Sequence, residues 1–365
     1  MASIDTPALT ASPPPTAASP HIYLELDGLR GLAALCVVSL HLRFFALAGD
    51  QGVIIDRHQY LAVDFFLLLS GFVIAHAYEA RLALPGARPG FIRDRIIRLY
   101  PLLVLGAIIG ALAALLSPAW SAVSSPRLAA YTVAGALALP LPGMDSAFPV
   151  NFPTWSLFWE VVLNLLFACA SPYLTTRRLL MGAGLCLLAM VAIAALRHNI
   201  DMGGRTKQLP LAGPRMGFSF MLGIVLLRLH RDGLLRHGGI RWWIAPLLAV
   251  ALFLFPAGGI VSLLYDMAMI VLGFPLLLLA AAGSKPLSPR LSRFSGGLSY
   301  PLYILHVPLA GLLTPWLLHL GLMPGWSLYG LEMALIAALS YATLLAYDEP
   351  LRARLRQSYG SRRHR

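Results

Sequence analysis

Charged side chains are scarce in this sequence. Asp, Glu, Lys and Arg make up 12% of its 365 residues, about half the share found in soluble domains. Hydrophobic residues make up 58%, and the mean hydropathy is +0.73. Apolar runs of about 17–20 residues recur along nearly the whole chain, which is the length a membrane helix needs. We therefore expect an all-α, polytopic integral membrane protein.

Cysteines and common catalytic motifs are also few. Cys36, Cys169 and Cys186 all lie inside apolar segments and follow no metal-ligand spacing, so neither a disulfide nor a metal site is predicted. The chain has no P-loop, GxGxxG, HExxH or GxSxG sequence, and no permanently bound cofactor is expected. Residues 1–20 lack the basic and apolar regions of a signal peptide. The net charge of +12 lies mostly in short loops, which favours a topological role over nucleic-acid binding.

Eleven apolar segments are candidate membrane helices. They are residues 31–48, 61–78, 99–117, 128–141, 156–173, 179–196, 216–229, 242–256, 260–282, 299–320 and 328–346. The segment 128–141 is short, and counting it would break the alternation of basic and uncharged loops, so we expect a re-entrant or interfacial piece there. Ten spans remain, with both termini in the cytoplasm.

These segments predict three parts of the chain: a disordered cytoplasmic tail at 1–22, a transmembrane domain at 23–350 and a basic cytoplasmic tail at 351–365. The loop 197–215 fits the topology least, because it would be external although it is basic. Its cations are Arg197, Arg205, Lys207 and Arg215. They could face an anionic substrate.

The stretch "LDGLRGLAALCVVSLHL" contains Arg30, just before the first apolar segment, and His41, inside that segment. Helical geometry puts both on one face, about 16 Å apart along the axis. A basic group at the cytoplasmic mouth suits an anionic donor, and a deeper imidazole suits a general base. The structural alternative is that Arg30 reaches the lipid headgroups while His41 caps a neighbouring helix.

A polar stripe runs along "PTWSLFWEVVLNLLF", where Ser156, Glu160 and Asn164 recur every four residues. A carboxylate in lipid is costly, so Glu160 is a candidate catalytic residue. It could orient His41 as an acid orients the base of a triad, or it could bind an acceptor hydroxyl. A hydrogen bond between helices is the structural alternative.

Arginines cluster in "GFIRDRIIRLYPL" at the cytoplasmic entry of the third segment. Arg95 and Arg98 are three residues apart on one helix face, with Arg93 nearby. Their forked guanidinium groups suit phosphate. Cytoplasmic loops collect arginine for topological reasons as well, so the cluster alone does not separate the two interpretations.

Polar residues also share a face in "SYPLYILHVPL". Ser299, Tyr303 and His306 lie near Pro308, which frees a backbone carbonyl that they could satisfy. A structural role and a catalytic role are equally open for them.

Three more ionisable residues lie in apolar segments. We expect Asp64 to cap its helix or to pair with an arginine, and His76 to be structural. Asp266, in "LLYDMAMIVLG", has no evident partner in the sequence.

These motifs occur in a fixed order: the Arg30–His41 segment, "VDFFLLLSGFVIAHAY", "FIRDRIIRLYPL", "PTWSLFWEVVLNLLF", "SYPLYILHVPL" and "YDEPLR". Together they resemble the membrane-bound acyltransferase 3 family of bacteria, from about Glu25 to Arg352. Some members carry a C-terminal esterase-like domain, which this sequence lacks, so it resembles the stand-alone branch.

The resemblance implies about ten spans, an acyl-CoA co-substrate taken from the cytoplasm, and O-acylation of a carbohydrate or similar acceptor. The family's Arg-x10-His motif falls on Arg30 and His41, and its Arg-x-x-Arg motif falls on Arg95 and Arg98. Many members carry a further arginine where this chain has Asp94.

The family's tryptophan–serine–leucine motif with a downstream glutamate falls on Trp155, Ser156 and Glu160. We therefore predict His41 and Glu160 as catalytic residues. The predicted donor- and acceptor-binding residues are Arg30, Arg93, Arg95, Arg98, Trp155, Ser156, Asn164, Tyr303 and His306.

The predicted enzyme is an acyltransferase for groups other than aminoacyl groups, most simply acetyl, in the bacterial inner membrane. Its expected partners are acyl-CoA, a carbohydrate or glycolipid acceptor and the lipid bilayer, with no nucleic acid. A transporter or flippase could use buried Arg, His and Glu for ion coupling instead, but it would have no reason to bind CoA. A non-catalytic scaffold would not need His41.

Overall fold

The computed structural model describes residues 23–47, 58–235, 239–241, 243–286 and 288–360. These residues are helical and contain no strand, only one isolated bridge between Ser146 and Arg205. The predicted all-α, polytopic fold is confirmed. The predicted tail at 1–22 and the last five residues of the tail at 351–365 lie outside the described residues.

Thirteen α-helices follow one another along the described chain. They are α1 (Leu24–Ala46), α2 (Ala62–Leu82), α3 (Arg88–Leu116), α4 (Ser125–Ala136), α5 (Thr154–Ala170), α6 (Thr176–Arg197), α7 (Gly213–Arg231), α8 (Ile244–Phe253), α9 (Gly259–Ala268), α10 (Phe274–Ala282), α11 (Pro289–His319), α12 (Trp326–Thr343) and α13 (Glu349–Gly360). π-Helical turns at Met269–Gly273 and Leu344–Asp348 join α9 to α10 and α12 to α13.

Nine helical stretches of the described chain are long and apolar enough to cross a membrane. They are α1, α2, α3, α5, α6, α7, the joined α9–α10, α11 and the joined α12–α13. The predicted short segment at 128–141 corresponds to α4, whose 12 residues extend only about 18 Å and cannot cross the hydrocarbon core alone. We call the end of the bundle that holds Tyr23 and the α2–α3 turn the inner end. The end that holds residues 142–153 is the outer end.

The predicted segment 242–256 contributes only the ten-residue helix α8, about 15 Å long. At its outer end the backbone N–H of His58 donates to the carbonyl of Phe253 at 3.0 Å. Gly239 lies against the inner end of α10, where a Cβ would be 2.1 Å from the carbonyl oxygen of Gly283. Between Gly239 and Phe253 the chain therefore passes from the inner to the outer end of the bundle, and α8 forms the outer part of this passage.

Two glycines let α1 approach α11 closely. A Cβ on Gly31 would lie 2.0 Å from the hydroxyl oxygen of Ser295, and a Cβ on Gly296 would lie 2.7 Å from the Cβ of Asp27. Small residues at membrane helix interfaces permit this kind of contact. The contact sets the face of α1 that carries Arg30 directly against α11.

Pro308 lies inside α11 and leaves the carbonyl of Ile304 without its helical donor. The side-chain amide of Asn151, in the outer loop before α5, donates to that carbonyl at 3.0 Å. The freed carbonyl is therefore satisfied by a loop residue, and this bond ties the outer loop to α11 two residues before His306.

Two outer loops, residues 137–153 and 198–212, are hydrogen-bonded to each other. The backbone N–H of Ala147 donates to the carbonyl of Gly204 at 3.3 Å, and that of Thr206 donates to the carbonyl of Asp145 at 2.7 Å. These bonds join the loop that precedes α5 to the loop that precedes α7.

The basic residues of the 197–215 loop are partly neutralised by the protein itself. Arg205 pairs with Asp145 at 3.5 Å on the surface, and the buried Arg215 pairs with Asp64 at 2.8 Å. The second pair is one of the two outcomes expected for Asp64. For these two arginines the anionic partner is a carboxylate of the chain.

Candidate active site

A cavity of about 320 Å³ lies between α1, α2, α3, α5 and α11. Val63 and Ala77 of α2 both line it, and the rise of fourteen helical steps from one to the other corresponds to about 21 Å. The cavity therefore extends from the inner end of the bundle to near its outer end. Tyr23, Asp27 and His76 lie at the inner end of its wall.

Three of the predicted arginines lie on the cavity wall. Arg30 donates from Nη2 to the carbonyl of Gly296 at 2.6 Å and from Nε to the hydroxyl of Ser299 at 2.9 Å, and it pairs with Asp27 at 3.2 Å. These bonds hold Arg30 against α11. The α1–α11 contact made possible by glycine therefore also fixes the direction of this guanidinium group.

Arg95 and Arg98 are held by aromatic rings. The guanidinium carbon of Arg95 lies 5.3 Å from the ring centre of Tyr78, and that of Arg98 lies 6.0 Å from that of Tyr300. Within the described part of the chain, no carboxylate lies within ion-pair distance of either arginine. Both side chains line the cavity, so an anion entering it would meet two cations that the protein has not neutralised by direct pairing.

Glu160 is on the same wall. It accepts a hydrogen bond from Ser70 at 3.4 Å and interacts electrostatically with Arg95, Arg98 and Arg30. The described structure does not place it against His41. The prediction that Glu160 orients His41 therefore has no support from its contacts.

A pair of hydroxyl groups lies near the outer end of the cavity. The hydroxyls of Ser156 and Tyr303 are 2.5 Å apart, and Ser156 also donates to the carbonyl of Pro153 at 3.1 Å. The ring of Phe66 packs edge-on against Tyr303 at 5.5 Å. Ser156, Tyr303 and Phe66 all line the cavity.

Two histidines lie beyond this hydroxyl pair. Nδ1 of His41 is 3.0 Å from Nε2 of His306, and the ring of His306 is 6.1 Å from that of Tyr303. His306 is completely buried, whereas His41 is partly exposed and has the ring of Phe152 at 5.9 Å. Neither histidine is among the described residues that line the cavity, and His306 is about one helical turn beyond Tyr303, which does line it.

The structure separates the predicted site residues into three groups. Those that line the cavity are Arg30, Arg95, Arg98, Ser156, Glu160 and Tyr303. His41 and His306 contact each other behind it. Arg93, Trp155 and Asn164 do not line it.

Each of those three side chains is placed elsewhere. Arg93 pairs with its neighbour Asp94 at 3.2 Å. Trp155 is buried against Gly203. Asn164 is buried, and its amide has no hydrogen-bond partner in the described part of the structure.

A second charged cluster lies at the outer end, and of its contacts only the pairing of Asp64 with an arginine was among the outcomes expected from the sequence. Asp266 is hydrogen-bonded to His58 at 2.5 Å and accepts a hydrogen bond from Tyr60. Arg215 donates from Nε to both oxygens of Asp64, at 2.8 and 3.0 Å. His58 and Asp266 are 208 positions apart in sequence, and no local pattern signals such a contact.

A bundle of membrane helices with unpaired arginines on a cavity wall, and a histidine pair beyond its end, has the parts of a membrane-embedded transferase. A family model described as an acyltransferase domain matches residues 23–345, which is most of the chain. The chain therefore belongs to the acyltransferase 3 family, and it is a multi-pass membrane acyltransferase.

Comparison with known proteins gives one relative and no structural match. Protein 2 in the picA locus of Rhizobium radiobacter is 33% identical over 190 residues, which cover 48% of this chain and 96% of that protein. No solved structure matches the chain significantly. The family match favours the transferase over the transporter and scaffold alternatives.

Proposed function

We infer that this acyltransferase moves an acyl group, most simply acetyl, from cytoplasmic acyl-CoA to a hydroxyl of a carbohydrate or glycolipid. One observation carries the donor assignment: Arg95 and Arg98 face the cavity with no described carboxylate in ion-pair distance. Cations at membrane depth are costly, and they mark ligand sites when they face a cavity. The phosphates of CoA supply the missing charge, and guanidinium groups bind phosphate in a forked geometry.

The reach of CoA is sufficient to span the distance between Arg30 and His41. Their Cα atoms are about 16 Å apart along α1, and the guanidinium group of Arg30 reaches Ser299, seven residues or about 10 Å before the His41 partner His306 on α11. The pantetheine arm of CoA has roughly as many bonds as four residues of extended chain, which gives it a reach of about 15 Å. A diphosphate held at the arginines therefore brings the thioester to the level of His41, with the arm along the cavity.

The hydroxyls of Ser156 and Tyr303 lie where the arm would end. They are 2.5 Å apart at the cavity's outer end, and one or both could turn to donate to the thioester carbonyl oxygen as negative charge develops on it. Glu160 lines the same cavity and is electrostatically coupled to the arginines without pairing directly with them. We therefore assign Glu160 to the donor site.

His41 is the proposed general base. It lies five residues before the outer end of α1 and is partly exposed, so an acceptor can approach from the outer end. The base takes the proton of the acceptor hydroxyl while the thioester carbon is attacked, and the CoA thiolate leaves. Donor and acceptor would then meet from opposite sides of the bilayer.

We propose the bacterial inner membrane as the location, with both termini in the cytoplasm. Basic side chains support this orientation, because the inner end and its turns are rich in them. Those on described residues include Arg81, Arg88, Arg93, Arg178 and Arg231. Nine helical stretches and the segment Gly239–Phe253 make an even number of passages through the bundle, which supports a cytoplasmic position for both termini.

Replacement of His41 tests the chemistry. In membranes supplied with labelled acetyl-CoA, we expect His41→Ala to reduce transfer of label to glycans and glycolipids by roughly 10²- to 10⁴-fold, the usual contribution of a general base. His319→Ala, at the exposed outer end of α11, is the matched control and should behave like the native protein. Native-level transfer by His41→Ala would remove His41 from the chemistry.

A further inference from the structure

His41 and His306 each contact a backbone carbonyl as well as each other. Nδ1 of His41 lies 3.0 Å from the carbonyl oxygen of Val37, and Nδ1 of His306 lies 3.1 Å from that of Leu302. The bond between the rings joins Nδ1 of His41 to Nε2 of His306 at 3.0 Å. Three of the four ring nitrogens are therefore engaged.

These contacts fix where the protons are. A carbonyl oxygen only accepts, so Nδ1 of His306 must carry hydrogen and donate to Leu302, which leaves Nε2 of the neutral ring as an acceptor. Nδ1 of His41 must then carry hydrogen, shared between Val37 and His306. The lone pair of His41 lies on Nε2, to which no described residue is hydrogen-bonded.

The opposite assignment would be unfavourable. If His306 carried its hydrogen on Nε2, an unprotonated Nδ1 would face the carbonyl of Leu302. The Nδ1 of His41, now an acceptor, would also face the carbonyl of Val37. Each contact would bring two lone pairs together at about hydrogen-bond distance without a proton between them.

We propose that His306 is a positioning residue for His41, which accepts the Nδ1–H of His41 and so holds the Nε2 lone pair ready as the base. This inference rests on the proposed function and names the partner that Glu160 does not supply. A carboxylate has the same place in a Ser-His-Asp triad, where it fixes the tautomer and ring orientation of the base. Here a buried neutral imidazole does so.

The step balances without another reactant. The proton of the acceptor hydroxyl passes to Nε2 of His41, and the acceptor oxygen forms a bond to the thioester carbon. The C–S bond then breaks, and the Nε2 proton passes to the departing sulfur. The Nδ1 proton stays on His41 throughout and is donated to His306, which stabilises the imidazolium while it exists.

Two variants of His306 separate positioning from packing. His306→Leu fills similar volume without an acceptor, whereas His306→Gln has an amide oxygen to accept from His41 and an N–H to donate to Leu302. With the full-length protein in membranes and saturating acetyl-CoA, we expect Leu to lower the maximal rate roughly 10²-fold or more and Gln to stay within about ten-fold of native. The KM for acetyl-CoA should be unchanged in both, because His306 does not line the donor cavity.

Either of two results would show that His306 does not position His41. Near-native transfer by His306→Leu would show that no acceptor is needed. A folded His306→Gln protein as inactive as the Leu variant would show that accepting from His41 is not what matters. If His41→Ala were fully active, His41 would not be the base, whereas the proposed function itself would fail if the native protein transferred no label from acetyl-CoA. If His41→Ala were inactive and His306→Leu were active, the proposed function would stand and the positioning role of His306 would not.

Nitrogen NMR gives a readout that needs neither acceptor nor activity. With ¹⁵N-histidine in the full-length protein, comparison with His41→Ala identifies the His41 signals. We expect hydrogen on Nδ1 of His41 in the native and His306→Gln proteins and a mixture of tautomers in His306→Leu. Hydrogen on Nε2 of His41 in the native protein would overturn the proposal.

Discussion

Buried charge is handled differently near the outer end of the bundle and on the cavity wall. In the outer cluster, Arg215 donates to both oxygens of Asp64, and Asp266 is hydrogen-bonded to His58. All four residues are at least 97% buried. Each carboxylate has a positive or hydrogen-bonding partner, as buried charges usually require.

On the cavity wall, Arg95 and Arg98 have aromatic neighbours and no described carboxylate within ion-pair distance. Their guanidinium groups face an open volume. Burial of a charged side chain therefore does not by itself identify a ligand site in this protein. A buried cation identifies such a site when it has no direct partner and also faces a cavity. These two features distinguish the arginines of α3 from Arg215.

The largest expected effect on folding stability comes from breaking the ion pair between Arg215 and Asp64 in the outer cluster. Asp64→Ala leaves Arg215 buried without its carboxylate, which should cost about 3–5 kcal/mol of folding free energy. The measurement is the thermal unfolding midpoint of the full-length protein in detergent. Asp145→Ala removes an exposed carboxylate instead and is the control. Equal midpoints for the two variants would mean that the outer pair is not structural.

An intermediate effect is expected on the cavity wall. Arg98→Ala should weaken CoA binding roughly 10- to 100-fold, the worth of one or two charge-assisted hydrogen bonds, with little loss of folding stability because no ion pair is broken. Stabilisation of the unfolding midpoint by added CoA measures this. Arg178→Ala, on the surface at the start of α6, should respond to CoA like the native protein. An unchanged CoA response in Arg98→Ala would leave that arginine with a topological role only.

The smallest effect is expected on the surface pair of the outer loops. Arg205 and Asp145 are 64% and 79% exposed, so Arg205→Ala should change the folding free energy by less than about 1 kcal/mol. Unfolding midpoints and acyl transfer both check this. A large loss of transfer with normal stability would restore the idea that the basic outer loop faces an anionic acceptor.

Apolar run length predicted most of the fold, because crossing a bilayer demands long apolar helices. It also predicted that α4 is too short to cross. It did not show that the α-helix before α9 is limited, among the described residues, to Ile244–Phe253. Hydropathy records which residues tolerate lipid, and it does not report where an apolar segment stops being helical.

Helical periodicity predicted part of the site. It placed Arg30 and His41 on one face of α1, and that face meets α11. It also aligned Ser156, Glu160 and Asn164, but only the first two line the cavity. Periodicity gives the direction of side chains around an axis and not how far along it the cavity extends.

Contacts between residues that are far apart in the chain could not be predicted from the sequence. His41 and His306 are 265 positions apart, and the expectation that Glu160 would partner His41 came from chemistry without geometry. Asn151 was missed for the same reason, since the carbonyl it satisfies is on α11. The packing of α1 against α11 decides which polar groups meet.

In the proposed function, acyl-CoA lies in the cavity with its phosphates at the arginines and its thioester near Tyr303. Cryo-electron microscopy of the full-length protein with a thioether analogue of acetyl-CoA tests it most directly. We predict the diphosphate within hydrogen-bond distance of Arg95 or Arg98 and the sulfur beside the Ser156–Tyr303 pair. A diphosphate remote from both arginines, or a pantetheine arm outside the cavity, would contradict the account.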